Sequence, residues 1–176
     1  MPRRSQKQIL AVGGLPAAAG PRLYTLTVII TSGMVLSKFL KKNPVMSRTI
    51  QIRGDQTLAD LHEAIFSAFD RYDEHLYEFQ FGAKRHDPMA RRYVHPMALE
   101  SDFDDRTEPK SAEEATIDSL ELKPRQKFLY WFDFGDDWWH DIKVDAIATT
   151  IPPGDYPKVI GRVGKSPPQY PDLEEE

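Results

Sequence analysis

Apolar and polar positions alternate with a period of two from Leu23 to Ile30. Tyr24, Leu26, Val28 and Ile30 share one face, which predicts a strand with one strongly apolar side. A second strand is predicted over residues 46–52, with Met46, Ile50 and Ile52 on one face. Between the two, Val35, Leu36, Phe39 and Leu40 fall at helical spacing, predicting a short helix that Pro44 stops. Gly54-Asp55 turns the chain into its clearest helix. Thr57 is a good N-cap, Asp60 stands at the third helical position, and Leu58, Leu61, Ile65 and Phe69 form an apolar stripe. Tyr77, Phe79 and Phe81, alternating with Glu78 and Gln80, predict a third strand. The pattern then weakens. A strand is read near Arg92–Leu99, a solvated acidic loop over Ser101–Glu114, and one helical turn at Thr116–Leu122. Residues 21–150 are read as a single domain, residues 1–20 as a flexible arm, and the Pro-rich residues 151–176 as an extended or disordered tail.

Lys127–Phe134 and Trp138–Ala148 read as the two strands of a hairpin, with Gly135-Asp136 suited to a two-residue type II′ turn. Residues 127–144 hold eight aromatic or imidazole rings and four carboxylates, more acid than a core strand uses and more rings than a surface loop uses. In the two-residue register Asp133 faces Trp138 and Trp131 faces His140, with Phe132 facing Trp139 on the other side, and a slip of one residue exchanges the faces. Asp133 is then diagonal to His140. A carboxylate there raises the imidazole pKa and fixes its tautomer, as for a general base or a metal ligand, and the same pair equally serves as a structural hydrogen bond. The rings are read as core, with Trp138 and Trp139 the two expected to keep an exposed face.

Composition narrows the chemistry. The absence of Cys removes disulfides, thiol nucleophiles and thiolate metal sites, and is compatible with a cytoplasmic setting. No apolar run approaches a membrane span, and Gly13-Gly14 with Pro16 interrupts the only stretch resembling a signal peptide. Net charge is −4, yet residues 1–54 carry nine Lys or Arg and no acid. Such a block either marks an anionic partner or pairs with the acidic remainder across one fold.

Three blocks carry a family resemblance. Tyr130 to Ile142 resembles the Tyr-Asp-Phe-Gly-Asp-x-Trp-x-His-x-Ile signature of the Ri-plasmid ORF-three-like proteins, Thr57–Ile65 resembles their helix, and His75-Leu76-Tyr77-Glu78-Phe79 their His-Leu-His-Glu-Phe strand. Order and spacing agree from about Tyr24 to Tyr170. The departures are Ser47 and Thr49 where relatives have Trp and Arg, Tyr77 in place of the second His, and a tail around Tyr156-Pro157 and Ser166-Pro167-Pro168 without the relatives' cysteines. The resemblance implies an α+β fold, a mixed sheet packed on the Thr57–Phe69 helix; the strand–strand–helix–strand opening suggests an elaborated, β-grasp-like sheet. It also implies a link to plasmids and insertion sequences, and no established activity.

Three functions follow. The first is a non-catalytic binding module for nucleic acid or a protein partner, using Arg22, Lys41, Lys42, Arg48 and Arg53 against phosphates and exposed rings against bases. The second is a hydrolase, acid–base or dependent on a divalent metal such as Zn or Mn, centred on Asp133, Asp136 and His140 with His75; Trp138 belongs to the same candidate cluster. The third is a homo-oligomer with the aromatic hairpin at its interface. His62, on the helix, is expected to be a surface or core residue.

Overall fold

The computed structural model describes residues 20–100 and 105–175; the N-terminal arm up to residue 19 and residues 101–104 of the acidic loop lie outside the described residues. β1 (Leu23–Ser32) buries Tyr24, Leu26, Val28 and Ile30, and pairs antiparallel with β2 (Ser47–Arg53), whose Ile50 and Ile52 are buried on the same face. The short helix α1 (Ser37–Lys42) joins them. α2 (Leu58–Ala68) begins where Thr57 makes a complete capping box: its hydroxyl accepts from Asp60 N at 3.2 Å while the Asp60 carboxylate accepts from Thr57 N at 2.8 Å. Because two otherwise orphaned amides depend on this exchange, Thr57→Ala is expected to cost about 1 kcal/mol. Thermal unfolding of the variant checks it, and an unchanged midpoint would deny the cap any energetic role.

The remaining strands are β3 (Tyr77–Phe81), β4 (Arg91–Val94), β5 (Lys110–Ser111), β6 (Lys127–Phe132), β7 (Trp138–Ala148) and β8 (Lys158–Val163). Together they form an eight-stranded mixed sheet in the order β5-β4-β3-β6-β7-β1-β2-β8, in which β4–β5 is parallel and the other pairs are antiparallel. The class is α+β. Leu58, Leu61, Ile65 and Phe69 join one apolar cluster with the inward residues of β1, β2, β3, β6 and β7. Among the described residues, no helix is long and apolar enough to cross a membrane.

Three segments differ from expectation. The strand read at 92–99 stops at Val94, because His95 caps a 3-10 turn over Pro96–Ala98 and Pro96 has no N–H for a ladder. The acidic loop contributes β5 and buries Ala112. The Pro-rich tail supplies β8 at the edge beside β2 and then returns to the loop after α2. There Gln169 Oε1 accepts from Tyr72 N (3.0 Å) and Asp73 N (3.1 Å), and Pro167 O accepts from Arg71 Nη1 at 2.8 Å.

The hairpin register is also corrected. Phe132 pairs with Trp138, Trp131 with Trp139 and Tyr130 with His140, one residue away from the two-residue-turn alignment. The cause is Asp133. Its Oδ1 accepts from both Gly135 N and Asp136 N at 3.2 Å, its carbonyl accepts from Asp137 N at 2.7 Å, and Asp133 and Asp137 take φ values of 57° and 62°. An Asp closing a loop through its own side chain tolerates the left-handed region, so residues 133–137 form the connection and pairing ends at Phe132.

Candidate functional site

The slip decides which hairpin side chains meet. Phe128, Tyr130, Phe132, Trp138, His140 and Ile142 all turn into the core. Trp138 is fully buried beneath the Arg71 guanidinium, 4.1 Å from its ring, and a side chain at position 33 would run into the same ring, so the close approach there requires Gly33. Trp139 is buried too. On the opposite face it stacks on Trp131 at 5.1 Å, and both indole N–H groups donate to Asp137 Oδ1, at 2.6 Å from Trp131 and 3.0 Å from Trp139. Neither indole keeps the exposed face expected of it.

His140 lies against Phe69 and Tyr130 and donates through Nδ1 to the Tyr130 carbonyl at 3.2 Å. Burial, with the Arg71 charge adding to it, pushes its pKa down to about 3. The raised, carboxylate-paired imidazole expected here is therefore corrected to a neutral core histidine. Asp133, itself buried, meets a different imidazole: its Oδ2 is 3.3 Å from His75 Nε2. That Nε2 is also 2.8 Å from the Tyr170 hydroxyl, which donates to Asp73 Oδ2 at 2.6 Å and has its pKa raised by that bond. Of the five hairpin-centred candidates the structure thus joins Asp133, His75 and, through its backbone N–H, Asp136. Trp138 and His140 stand apart as packing residues.

Beside this clasp, the loop between α2 and β3 rims an open recess of about 610 Å³ whose lining includes His62, Glu63, Glu74, His75, His95 and Glu113. His62 is buried at its inner edge and stacks on Tyr77 at 3.8 Å with 9° between the planes. Its Nδ1 is 2.6 Å from the Tyr130 hydroxyl, while Nε2 faces Glu74 Oε2 at 3.3 Å and Glu63 Oε1 at 3.9 Å. Burial and the His95 charge lower the His62 pKa to about 3, and partial burial with Glu63 nearby raises that of Glu74. His62, expected to be a surface or core residue, is a core one whose Nε2 lies at the recess. The signal was present: it stands four residues after Leu58 and three before Ile65, inside the apolar stripe of α2, followed by an acid.

The basic residues do not act as a set. Arg48 is buried, donating to the carbonyls of Ala68 (2.8 Å), Ser47 (2.6 Å) and Gly164 (3.1 Å), with Phe69 4.7 Å beneath it, so its expected phosphate contact is corrected to a structural one. Arg53 is spanned by the Asp55 carboxylate, with both bonds at 3.0 Å. Arg22, Lys41 and Lys42 are exposed.

Among the described residues, an eight-stranded mixed sheet with two α-helices, carrying the aromatic hairpin and an imidazole–carboxylate recess beside α2, defines the class as α+β. Residues 37–171 match the family model described as plasmid pRiA4b ORF-3-like protein, and the chain belongs to that family. A crystal structure of a protein of unknown function from Methanosarcina mazei Go1 is similar, with 25% identity, a TM-score of 0.59, and coverage of 83% of this chain and 72% of that one. No curated protein matches.

Proposed function

We propose that this protein is a non-catalytic binding module whose partner is a protein segment bearing basic and apolar side chains. The observation that carries this is a pair of open recesses, about 610 and 700 Å³, that share Glu113 and are lined by the exposed side chains of Leu76, Met97 and Leu99. Met97 is 79% exposed and, with Leu76 and Leu99, offers contact to a partner's aliphatic groups. Glu63, Glu74 and Glu113 set the sign of charge the partner must complement.

Nucleic acid is the weaker partner, because Arg48 is consumed by the core and Arg53 by Asp55. The hydrolase reading loses the Asp133–His140 pair on which it rested, and the oligomer reading loses Trp138 and Trp139 and keeps only Trp131 and Phe134 as hairpin rings that are not buried. The family's plasmid setting supports a role in mobile elements, and the lack of Cys supports a cytoplasmic one. In the same reading residues 21–150 and the tail are one unit, supported by β8 and the Gln169 bonds. The sheet is an elaborated β-grasp packed on α2, supported by β6 running parallel to β1 across the intervening β7.

The test is selection of displayed twelve-residue peptides on the full chain, followed by titration of the best binder. Enriched sequences should combine Lys or Arg with aliphatic residues and lose at least tenfold in affinity for Met97→Asp, as expected of an apolar contact near the centre of an interface. Absence of any enriched sequence, together with steeply salt-dependent binding of duplex DNA that Lys41→Glu abolishes, would overturn the proposal in favour of nucleic acid.

A further inference from the structure

We propose that His62 Nε2 and the carboxylates of Glu63 and Glu74 form a site for one divalent transition-metal ion such as zinc or manganese. One ligand atom from each of the three lies within 4.8 Å of the other two. Ligands 2.0–2.1 Å from a tetrahedral ion stand about 3.3 Å apart, and the His62 Nε2 to Glu74 Oε2 separation is 3.3 Å. Glu63 Oε1 is farther from Nε2, at 3.9 Å, and its side chain is 69% exposed, so a rotamer change closes that edge without moving backbone.

The imidazole is arranged as a ligand needs to be. The Tyr130 hydroxyl holds Nδ1 at 2.6 Å, Nε2 is turned toward the two carboxylates, and the Tyr77 stack holds the ring plane. A hydrogen bond to the far nitrogen is the outer-shell contact that orients metal-bound histidines. Nε2 meets the Glu74 carboxylate at the edge of an open recess, which leaves room for water in the remaining coordination positions. Two carboxylates and a neutral imidazole balance a dication. The nitrogen favours zinc, manganese or a similar ion over calcium and magnesium, which take oxygen sets. The inference goes beyond the proposed partner binding and does not depend on it.

The experiment uses the full chain, stripped with chelator and titrated calorimetrically with zinc and with manganese, each alone. One ion per chain should bind. Glu63→Gln/Glu74→Gln, which alters only exposed carboxylates, should weaken it by more than the roughly tenfold to hundredfold that outer-shell changes cost, with Tyr130→Phe falling inside that range. Nitrogen NMR should place the coordination-induced shift on His62 Nε2. No saturable binding by the folded chain, or stoichiometric binding that the double variant leaves unchanged, would overturn the site.

Discussion

Glu78→Ala is expected to destabilise the protein by about 3–5 kcal/mol, a large share of the roughly 5–15 kcal/mol that holds a domain together. Glu78 is 1% exposed and its two oxygens each receive a guanidinium: Arg92 Nη1 at 2.7 Å on Oε1 and Arg106 Nη1 at 2.7 Å on Oε2. Gln80 Nε2 donates to the same carboxylate, and Arg92 Nε donates to Thr107 O at 2.6 Å. Truncation removes the buried carboxylate that the two guanidiniums share and breaks both of its ion pairs. The loss of a buried, charge-assisted partner dominates the cost; the intact pair adds little net stability beyond an apolar replacement. Glu78→Gln keeps the shape and some hydrogen bonds but not the charge, so it should fall between wild type and alanine. Urea denaturation at neutral pH reads the order. An alanine variant within 1 kcal/mol of wild type would mean that water reaches Arg92 and that the triad is not closed.

That triad also marks where local pattern stopped being informative. Alternation marks β3 as a strand with Glu78 and Gln80 off its apolar face, which is a solvent face only in a sheet covered on one side. The sheet is covered on both sides near its middle: His86 sits edge-on to Trp131 and Trp139, Arg85 lies 4.8 Å over Trp139, and Arg92 and Arg106 close over Glu78. These covering residues come from a segment without periodicity, so nothing local announces them. By contrast β1, β2 and α2 were legible because each buries one face, and Thr57 announced its own cap. β8 was not, since an edge strand with Gly161 and mostly exposed positions has no alternation to read. The hairpin was legible as an element but not in register: Gly135-Asp136 favours a short turn, and the competing side-chain closure by Asp133 is visible only in three dimensions. One residue of slip moved His140 into the core and handed Asp133 to His75. The site reading paired Asp133 with His140, whereas the fold sets it beside His75, which entered that reading only as an accessory, and His62 was read as a surface or core residue.

Acidification should unfold the protein through its buried neutral imidazoles, His140 and His62, well before its carboxylates are fully protonated, and His140 is the one that lies away from the recess. In the unfolded chain this imidazole takes a proton near its ordinary value of 6.5, whereas in the fold burial and the Arg71 charge hold it down at about 3. Between those values the unfolded state binds more protons than the folded one, so stability rises with pH across that window and is complete above it. Going down in pH, each unit below the ordinary value removes up to about 1.4 kcal/mol through this one group. Across the window that amounts to on the order of 4 kcal/mol, enough to exhaust a marginal domain. The groups acting on the ring are Arg71, the Phe69 and Tyr130 rings and the Tyr130 and Trp138 backbone, and the charge among them is positive. His140→Asn retains a donor for the Tyr130 carbonyl and does not titrate. The variant should be less stable than wild type at pH 8 because it leaves part of the imidazole's space empty, yet its stability should fall less steeply between pH 6.5 and 4. Unfolding free energies measured in urea with chelator present, at half-unit pH steps, give both slopes. Parallel slopes for the two proteins would mean that His140 is already accessible to protons in the fold and that acid sensitivity resides elsewhere.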